Sequence, residues 1–315
     1  MVDAGEITSD RITATDILAA CGERMDDGPA SFTEAAASRD LSYRRATVGE
    51  VEAWATGVLE RMHRPQARRW PAENQEAFER GWRENLEAAL KEGVSADSLR
   101  PRYFRETPFL RYRHGLIVSE NKHLEHDLFT LVRRLIFTRY LADCPVIREY
   151  GCGSCGNLLL LGEMFQCKDF HALDWAGASV EIAGPTAHHT GLSLAGETFD
   201  MRQPPPSEPL EKGTAIPTVH ALERLERDFL PLINHFLTIR PRRVVHLEPI
   251  LEFYEPTNLY DHLAVEYSKR RGYLDGYLTT LQQFETEGRL EIIKAVRPAI
   301  GGVIHEASII VWEPR

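Results

Sequence analysis

The spacing of hydrophobic residues divides the chain into two parts of different character. Before Pro145, apolar residues recur at three- and four-residue steps, which is typical of amphipathic helices. The clearest of these runs begin at Val51, Phe78 and Leu124, and the last one continues to Leu141. Residues 1–45 are polar and weakly periodic, which is typical of a loosely ordered arm. The pattern predicts a mostly α-helical N-terminal region over residues 1–140.

After Pro145, short apolar runs alternate with helical stretches. Seven runs have the length of strands: 146–150, 169–173, 191–194, 215–219, 244–247, 290–295 and 307–312. Strands that alternate with helices typically form a parallel sheet covered on both faces. The pattern predicts an α/β, Rossmann-like domain over residues 141–315 with a seven-stranded, mostly parallel sheet. Its last two strands are expected to form a hairpin.

Composition and charge narrow the class of protein. The 315 residues are 43% hydrophobic and 27% charged, as in an ordinary globular protein. The net charge of −10 disfavours nucleic acid as a partner. The first residues lack a basic segment followed by an apolar one, and no run approaches the roughly 18 apolar residues of a membrane span. Together with an odd number of cysteines, five, this predicts a cytoplasmic protein without a membrane partner.

A glycine-rich turn follows the first strand of the predicted sheet. It reads Glu149-Tyr150-Gly151-Cys152-Gly153, with Gly156 completing a G-x-G-x-x-G pattern. Glycines let the backbone turn sharply and approach a ligand closely. The next strand ends in Asp174, where a carboxylate can accept the hydroxyls of a ribose. Nicotinamide dinucleotides and S-adenosylmethionine both use this arrangement, and the glycines alone do not separate them.

Three further features favour S-adenosylmethionine. Glu149 stands where a carboxylate can meet an ammonium group, whereas a pyrophosphate would be repelled there. Phe199 and Asp200 follow the third strand, where an apolar residue and an acid can hold adenine. The third feature is the pair of terminal strands, which are expected to form a hairpin at the edge of the sheet.

On these residues the C-terminal half resembles the class I S-adenosylmethionine-dependent methyltransferases. The resemblance implies that Gly151 and Gly153 pass under the cofactor and that Glu149 faces its amino-acid end. It implies Asp174 at the ribose, and Asp200 with Met201 at the adenine. Neighbouring positions complete the predicted cofactor site, namely Cys152, Asn157 and Trp175. One departure is that Cys155 stands where the family usually has its third glycine.

Candidate catalytic residues follow the fourth and fifth strands. His220 is the predicted general base, because a neutral imidazole is suited to that role near pH 7. Glu223 is predicted to orient His220 or to bind substrate, and Glu248 to hold a substrate hydroxyl or amine. These residue types also occur as satisfied core or ion-pair residues, and that interpretation stays open. No recognised ligand spacing supports a metal site.

The substrate-binding candidates lie in two segments, residues 100–114 and the stretch that follows the fifth strand. Arginines and aromatic residues alternate over residues 100–114, which is typical of a lid over an anionic substrate or of a solvated connector. The predicted substrate-binding residues are Tyr112, Arg113, His114 and Tyr254.

The sequence thus predicts a methyltransferase that acts on a small polar molecule, for example a sugar or a natural-product intermediate, at oxygen or nitrogen. An NAD(P)-dependent oxidoreductase and a non-catalytic scaffold of the same fold remain alternatives. Homodimer formation is left open.

Overall fold

The computed structural model describes residues 9–24, 28–63, 71–101, 107–165 and 168–315. The α-helices within these ranges are α1 (Ala14–Ala20), α2 (Ala30–Ala37), α3 (Val48–Met62), α4 (Pro71–Glu92), α5 (Leu124–Leu141), α6 (Gly156–Met164), α7 (Gly177–Thr190), α8 (Leu230–Ile239), α9 (Leu259–Arg271) and α10 (Tyr277–Thr286). The strands are β1 (Asp10–Arg11), β2 (Ser42–Arg45), β3 (Phe109–Tyr112), β4 (Gly115–Val118), β5 (Val146–Tyr150), β6 (Asp169–Asp174), β7 (Ser193–Thr198), β8 (Ala215–Val219), β9 (Arg243–Glu248), β10 (Leu290–Val296), β11 (Ile300–Gly301) and β12 (Ser308–Pro314).

A seven-stranded sheet dominates the C-terminal part. Its strand order is β10-β12-β9-β8-β5-β6-β7. Strands β5 to β9 pair in parallel, while β12 runs antiparallel to both β9 and β10. The chain moves outward from β5 to β7 and then returns to β8 on the other side of β5. The carboxyl ends of β5 and β8 therefore flank the point where ligands bind in such sheets.

The predicted α/β fold is confirmed by this sheet. The predicted strand over 191–194 is displaced, because Gly191 ends α7 in a left-handed conformation (φ 70°) and the strand begins only at Ser193. None of the described helices is both long enough and apolar enough to cross a membrane.

The N-terminal region contains a sheet that the hydrophobic pattern does not predict. Strands β1 to β4 join β11 in a five-stranded sheet of order β1-β2-β4-β3-β11. The region is predicted as mostly α-helical, and it contains α1 to α5, but the four short strands were not part of the prediction. The reason lies in β3, where Leu110, Arg111 and Tyr112 are all buried, so no polar–apolar alternation marks the strand. Because β11 pairs with β3, the connection between the last two long strands reaches into the N-terminal sheet.

A buried cluster of charges joins these parts. Asp261 of α9 is 2.6 Å from Arg111 of β3 and 2.6 Å from Arg297, which follows β10. Glu306, just before β12, pairs with Arg297 and lies 3.8 Å from Arg111. Arg111, Asp261 and Glu306 are each at most 1% exposed. The cluster thus fixes β3, α9 and the connection around β11 against one another.

Candidate cofactor and substrate site

A cavity of about 570 Å³ lies at the carboxyl ends of β5 and β8. The volume is within the usual range of small-molecule sites. Its described lining includes the glycine turn, the loop after β8, one face of α5, part of α4 and the connection around β11. Of the sequence-predicted residues, the lining includes Gly151, Cys152, Gly153, Asn157, His220 and Glu223.

The glycine turn has a conformation that requires its glycines. Gly151 has a φ of 76°, and a Cβ there would lie 2.4 Å from the Cβ of Ala221. Gly153 has a φ of 53°, and a Cβ there would lie 2.9 Å from the indole of Trp82. Cys155 is also left-handed, at φ 60°, immediately before α6. The residue that departs from the family pattern thus keeps the backbone conformation that glycine favours.

Glu149 lies beneath the turn and is completely buried. Its Oε1 accepts a hydrogen bond of 2.6 Å from the side chain of Asn157, and its Oε2 has no hydrogen-bond partner. Arg133 of α5 in turn donates to Oδ1 of Asn157 at 2.6 Å. Burial raises the pKa of Glu149 to about 8, against the opposing effects of Asn157 and Arg133. The carboxyl group is therefore largely protonated at neutral pH.

This protonation leads to a testable pH dependence. Because the pKa is about 8 in the folded chain and about 4.5 ordinarily, the folded state holds a proton that the unfolded state loses. Glu149 thus contributes stability at low pH that is lost as the pH rises toward 8. We expect the Glu149→Gln variant to lose less stability between pH 5 and pH 8 than the wild type does. Urea denaturation across that range measures the free energy of unfolding of both proteins. Parallel pH profiles of this free energy would contradict the prediction.

The first two residues predicted at the adenosine end already make contacts within the protein. Asp174 accepts hydrogen bonds of 2.9 Å from the backbone of both Gly153 and Ala176. Burial raises its pKa to about 6. Trp175 packs against Phe78 of α4 and under the guanidinium of Arg202.

Asp200 and Met201 lie in the loop after β7 and contact other residues of the protein. Asp200 accepts a hydrogen bond of 2.9 Å from the backbone of Arg202, and the Met201 side chain points toward Gly151. Glu149, Asp174, Trp175, Asp200 and Met201 are absent from the described lining of the cavity. The glycine turn lines the cavity, whereas Phe78 and Trp82 of α4 pack against Trp175 and Gly153.

His220 is the most suggestive catalytic candidate on the lining. It follows β8 with a φ of 50°, a costly conformation for a residue other than glycine. Its ring packs edge-on against Phe129 at 5.2 Å, and no described residue hydrogen-bonds to its ring nitrogens. Burial, and next the charge of Arg133, lower its pKa to about 4, so the imidazole is neutral at pH 7.

The two predicted catalytic carboxylates have different positions. Glu223 lines the cavity, 3.8 Å from the guanidinium of Arg224, and burial raises its pKa. Glu248 lies at the end of β9, fully buried and off the described lining, and accepts hydrogen bonds from the backbone of Ala221 and Leu222. Glu248 therefore positions the loop that carries His220 rather than reaching the cavity itself.

The four predicted substrate-binding residues are not on the described lining. Tyr112 is buried against Tyr43, Arg113 pairs with Asp16 at 2.9 Å, and the carbonyl of His114 accepts from Asn258. Tyr254 is buried, with Arg297 stacked 4.0 Å above its ring. These four residues therefore make contacts within the protein, away from the cavity. Residues 102–106 of the predicted lid lie outside the described residues.

Several lining residues were missed by the sequence analysis. They are Trp82 of α4, Glu125, His126, Phe129 and Arg133 of α5, Arg224, His305 and Glu306. The α5 residues recur at three- and four-residue steps on the side away from the leucine stripe, and that polar face is the available signal. For the residues after β11 the sequence has no local signal of a site, because they reach the cavity only through the pairing of β11 with β3.

Comparisons with known proteins give matches among solved structures only. No protein-family model matches the chain, and no curated protein matches it. One structural match is geranyl diphosphate methyltransferase in complex with GPP and sinefungin, at 13% identity and a TM-score of 0.44, covering 76% of this chain and 98% of that one. A second is magnesium protoporphyrin IX methyltransferase from Synechocystis PCC 6803 with bound SAH, at 12% identity and a TM-score of 0.47, covering 63% and 89%. A third is the O-methyltransferase NcsB1 from neocarzinostatin biosynthesis, at 16% identity and a TM-score of 0.40, covering 61% and 58%.

Proposed function

We propose that the chain is an S-adenosylmethionine-dependent methyltransferase that acts on a small polar molecule. The observation that carries this proposal is the glycine turn between β5 and α6, which faces a cavity at the switch point of a seven-stranded sheet. In such sheets this is where a cofactor binds. In this proposal the N-terminal region, residues 1–140, covers a cofactor domain formed by residues 141–315.

The residues around the turn fit the amino-acid end of the cofactor. Gly151 and Gly153 line the cavity, and Oε2 of Glu149, two residues before Gly151, has no hydrogen-bond partner. A cofactor ammonium group would favour the ionised form of this carboxyl, and Arg133 on α5 would favour the cofactor carboxylate. The adenosine end requires a change, because Trp82 of α4 covers Gly153. We therefore propose that α4 moves when the cofactor binds.

The bound cofactor would supply an electrophilic methyl group on a sulfonium. The chain then has to align the acceptor, take its proton and exclude water. His220 is neutral, lines the cavity and has ring nitrogens free of described partners, so we propose it as the proton acceptor. Glu248 holds the loop after β8 in place through two backbone hydrogen bonds. Phe78, Trp82 and Phe129 supply the apolar walls.

Transfer of a labelled methyl group tests this function. Incubation with S-adenosylmethionine labelled on its methyl group and a fractionated pool of small molecules should give labelled product with the wild type. His220→Asn should keep its affinity for S-adenosylhomocysteine while turnover falls by about 10²-fold or more, as expected for loss of a general base. Unchanged turnover in this variant would contradict the role of His220.

A non-catalytic protein of the same fold is the second candidate. The observation that favours it is the predicted adenosine end, where Trp82 of α4 covers Gly153 and the backbone of Gly153 and Ala176 donates to Asp174. This candidate predicts no binding of S-adenosylhomocysteine, whereas the methyltransferase proposal requires it.

A further inference from the structure

One part of the cavity has hydrogen-bonding groups that the protein leaves unused. It is formed by the first turn of α5 and the connection between β11 and β12. Glu125 projects from α5 onto this connection, because a Cβ built on Gly302 would lie 2.6 Å from its Oε1. His305 and Glu306 line the cavity beside it. We call Glu125, His305 and Glu306 the acidic subsite.

The acidic subsite contains acceptor atoms without donors. No described residue pairs with the Glu125 carboxylate, and burial alone raises its pKa to about 7. Glu306 is 1% exposed, and its Oε2 has no hydrogen-bond partner although Arg111 lies 3.8 Å away. Nδ1 of His305 is likewise buried and unpartnered. Leaving such groups unsatisfied is costly, so a ligand that donates hydrogen bonds would be favoured here.

An anionic ligand is the alternative, since arginine side chains line the same cavity. Each of these guanidinium groups already has at least one partner, however, although Nε of Arg100, Arg133, Arg134 and Arg224 makes no hydrogen bond. Arg39 lies 3.6 Å from Asp127, Arg134 lies 2.8 Å from Glu163, and Arg100 pairs with Asp97. Arg133 donates to Asn157 and Thr130, and Arg224 stacks on Tyr273 at 4.6 Å. The carboxylate of Glu125, in contrast, has no hydrogen bond or ion pair with any described residue.

Aromatic rings stand beside the acidic subsite. Tyr273 packs against the ring of His305 at 5.1 Å, and Phe129 packs against His220 at 5.2 Å. Flat apolar walls next to an acid suit a ligand with both a ring and a cation.

We propose that the methyl acceptor carries a protonated amine, which is held by Glu125 and the free oxygen of Glu306. This inference rests on the proposed function and names the acceptor class of the same cavity. The amine anchors the acceptor, and the aromatic residues pack against its apolar part.

Three matched probes test the proposal: tyramine, tyrosol and 4-hydroxyphenylacetate, which carry an amine, a hydroxyl and a carboxylate on the same aromatic frame. Calorimetric titration with saturating S-adenosylhomocysteine should show tyramine binding at least about tenfold more tightly than tyrosol, and no binding of 4-hydroxyphenylacetate. Glu125→Gln should weaken tyramine by about thirtyfold or more, the usual effect of removing one member of a buried charge pair. Tyrosol should be affected much less.

The control is Glu120→Gln, which removes an exposed carboxylate five residues earlier and should leave tyramine affinity unchanged. Stronger binding of 4-hydroxyphenylacetate than of tyramine would overturn the proposal, as would equal tyramine affinity in wild type and Glu125→Gln, or no tyramine binding at 10 mM, far above the range of specific sites. If S-adenosylhomocysteine does not bind, the proposed function fails. Titration of the same three probes into the protein alone then shows whether the acidic subsite prefers an amine independently of the proposed function.

Discussion

The Gly151→Ala variant is expected to lose binding of S-adenosylhomocysteine by about a hundredfold or more, equivalent to ~2.7 kcal/mol. The new methyl group would lie 2.4 Å from the Cβ of Ala221, and the backbone has a φ of 76°. An L-residue pays about 1–2 kcal/mol for that conformation even without a clash. The turn must therefore shift, and the backbone surface that faces the cavity shifts with it.

Two further variants separate this effect from unfolding. Ala221→Gly, introduced into Gly151→Ala, removes the atom that the new methyl group meets and should restore part of the affinity. Gly184→Ala, in an exposed turn of α7 with nothing within 4 Å of the added Cβ, should bind as the wild type does. Circular dichroism checks that each variant is folded, and calorimetry gives the affinities. Wild-type affinity in Gly151→Ala would contradict the placement of the cofactor on this turn.

The largest effect on stability is expected at the buried charge cluster. Asp261→Asn removes the carboxylate that Arg111 and Arg297 both approach at 2.6 Å, and leaves Glu306 as the one carboxylate of the cluster for two guanidinium groups. Breaking a buried ion pair from one side typically costs about 3–5 kcal/mol. We expect a loss of that size in the free energy of unfolding, measured by urea denaturation.

The matched control for the cluster is Glu291→Gln. Glu291 pairs with Arg315 at 3.0 Å, but both side chains are more than half exposed. Exposed pairs contribute about 1 kcal/mol or less. If Asp261→Asn costs no more than this control, the cluster does not hold β3, α9 and the β11 connection together.

The fold of the C-terminal part could be predicted because its signals are local. The buried strands β5, β6, β8 and β9 each coincide with a short run predicted as a strand, and the glycine turn follows the first of them directly. The N-terminal sheet could not be predicted in this way. Its strands have two to four residues each, and β3 buries an arginine whose partners Asp261 and Glu306 are distant in sequence.

The candidate site shows the same division. Gly151, Gly153, His220 and Glu223 follow strand ends, and parallel strands bring those ends to one edge of a sheet. Glu125 and Arg133 belong to a helix whose leucine stripe predicts only a core contact. Glu306 reaches the cavity because β11 crosses to β3, a pairing that no local pattern encodes. Asp174 was predicted from its position alone, and the position does not reveal that two backbone groups already bind its carboxylate.

The central claim is that the glycine turn binds S-adenosylmethionine, and calorimetric titration of the purified protein tests it most directly. Wild-type protein should bind S-adenosylmethionine and S-adenosylhomocysteine with one site each and micromolar affinity, near −8 kcal/mol. NADH should give no heat of binding under the same conditions. If NADH binds and S-adenosylhomocysteine does not, the glycine turn is a dinucleotide site. If neither binds, the result contradicts a cofactor role for this cavity.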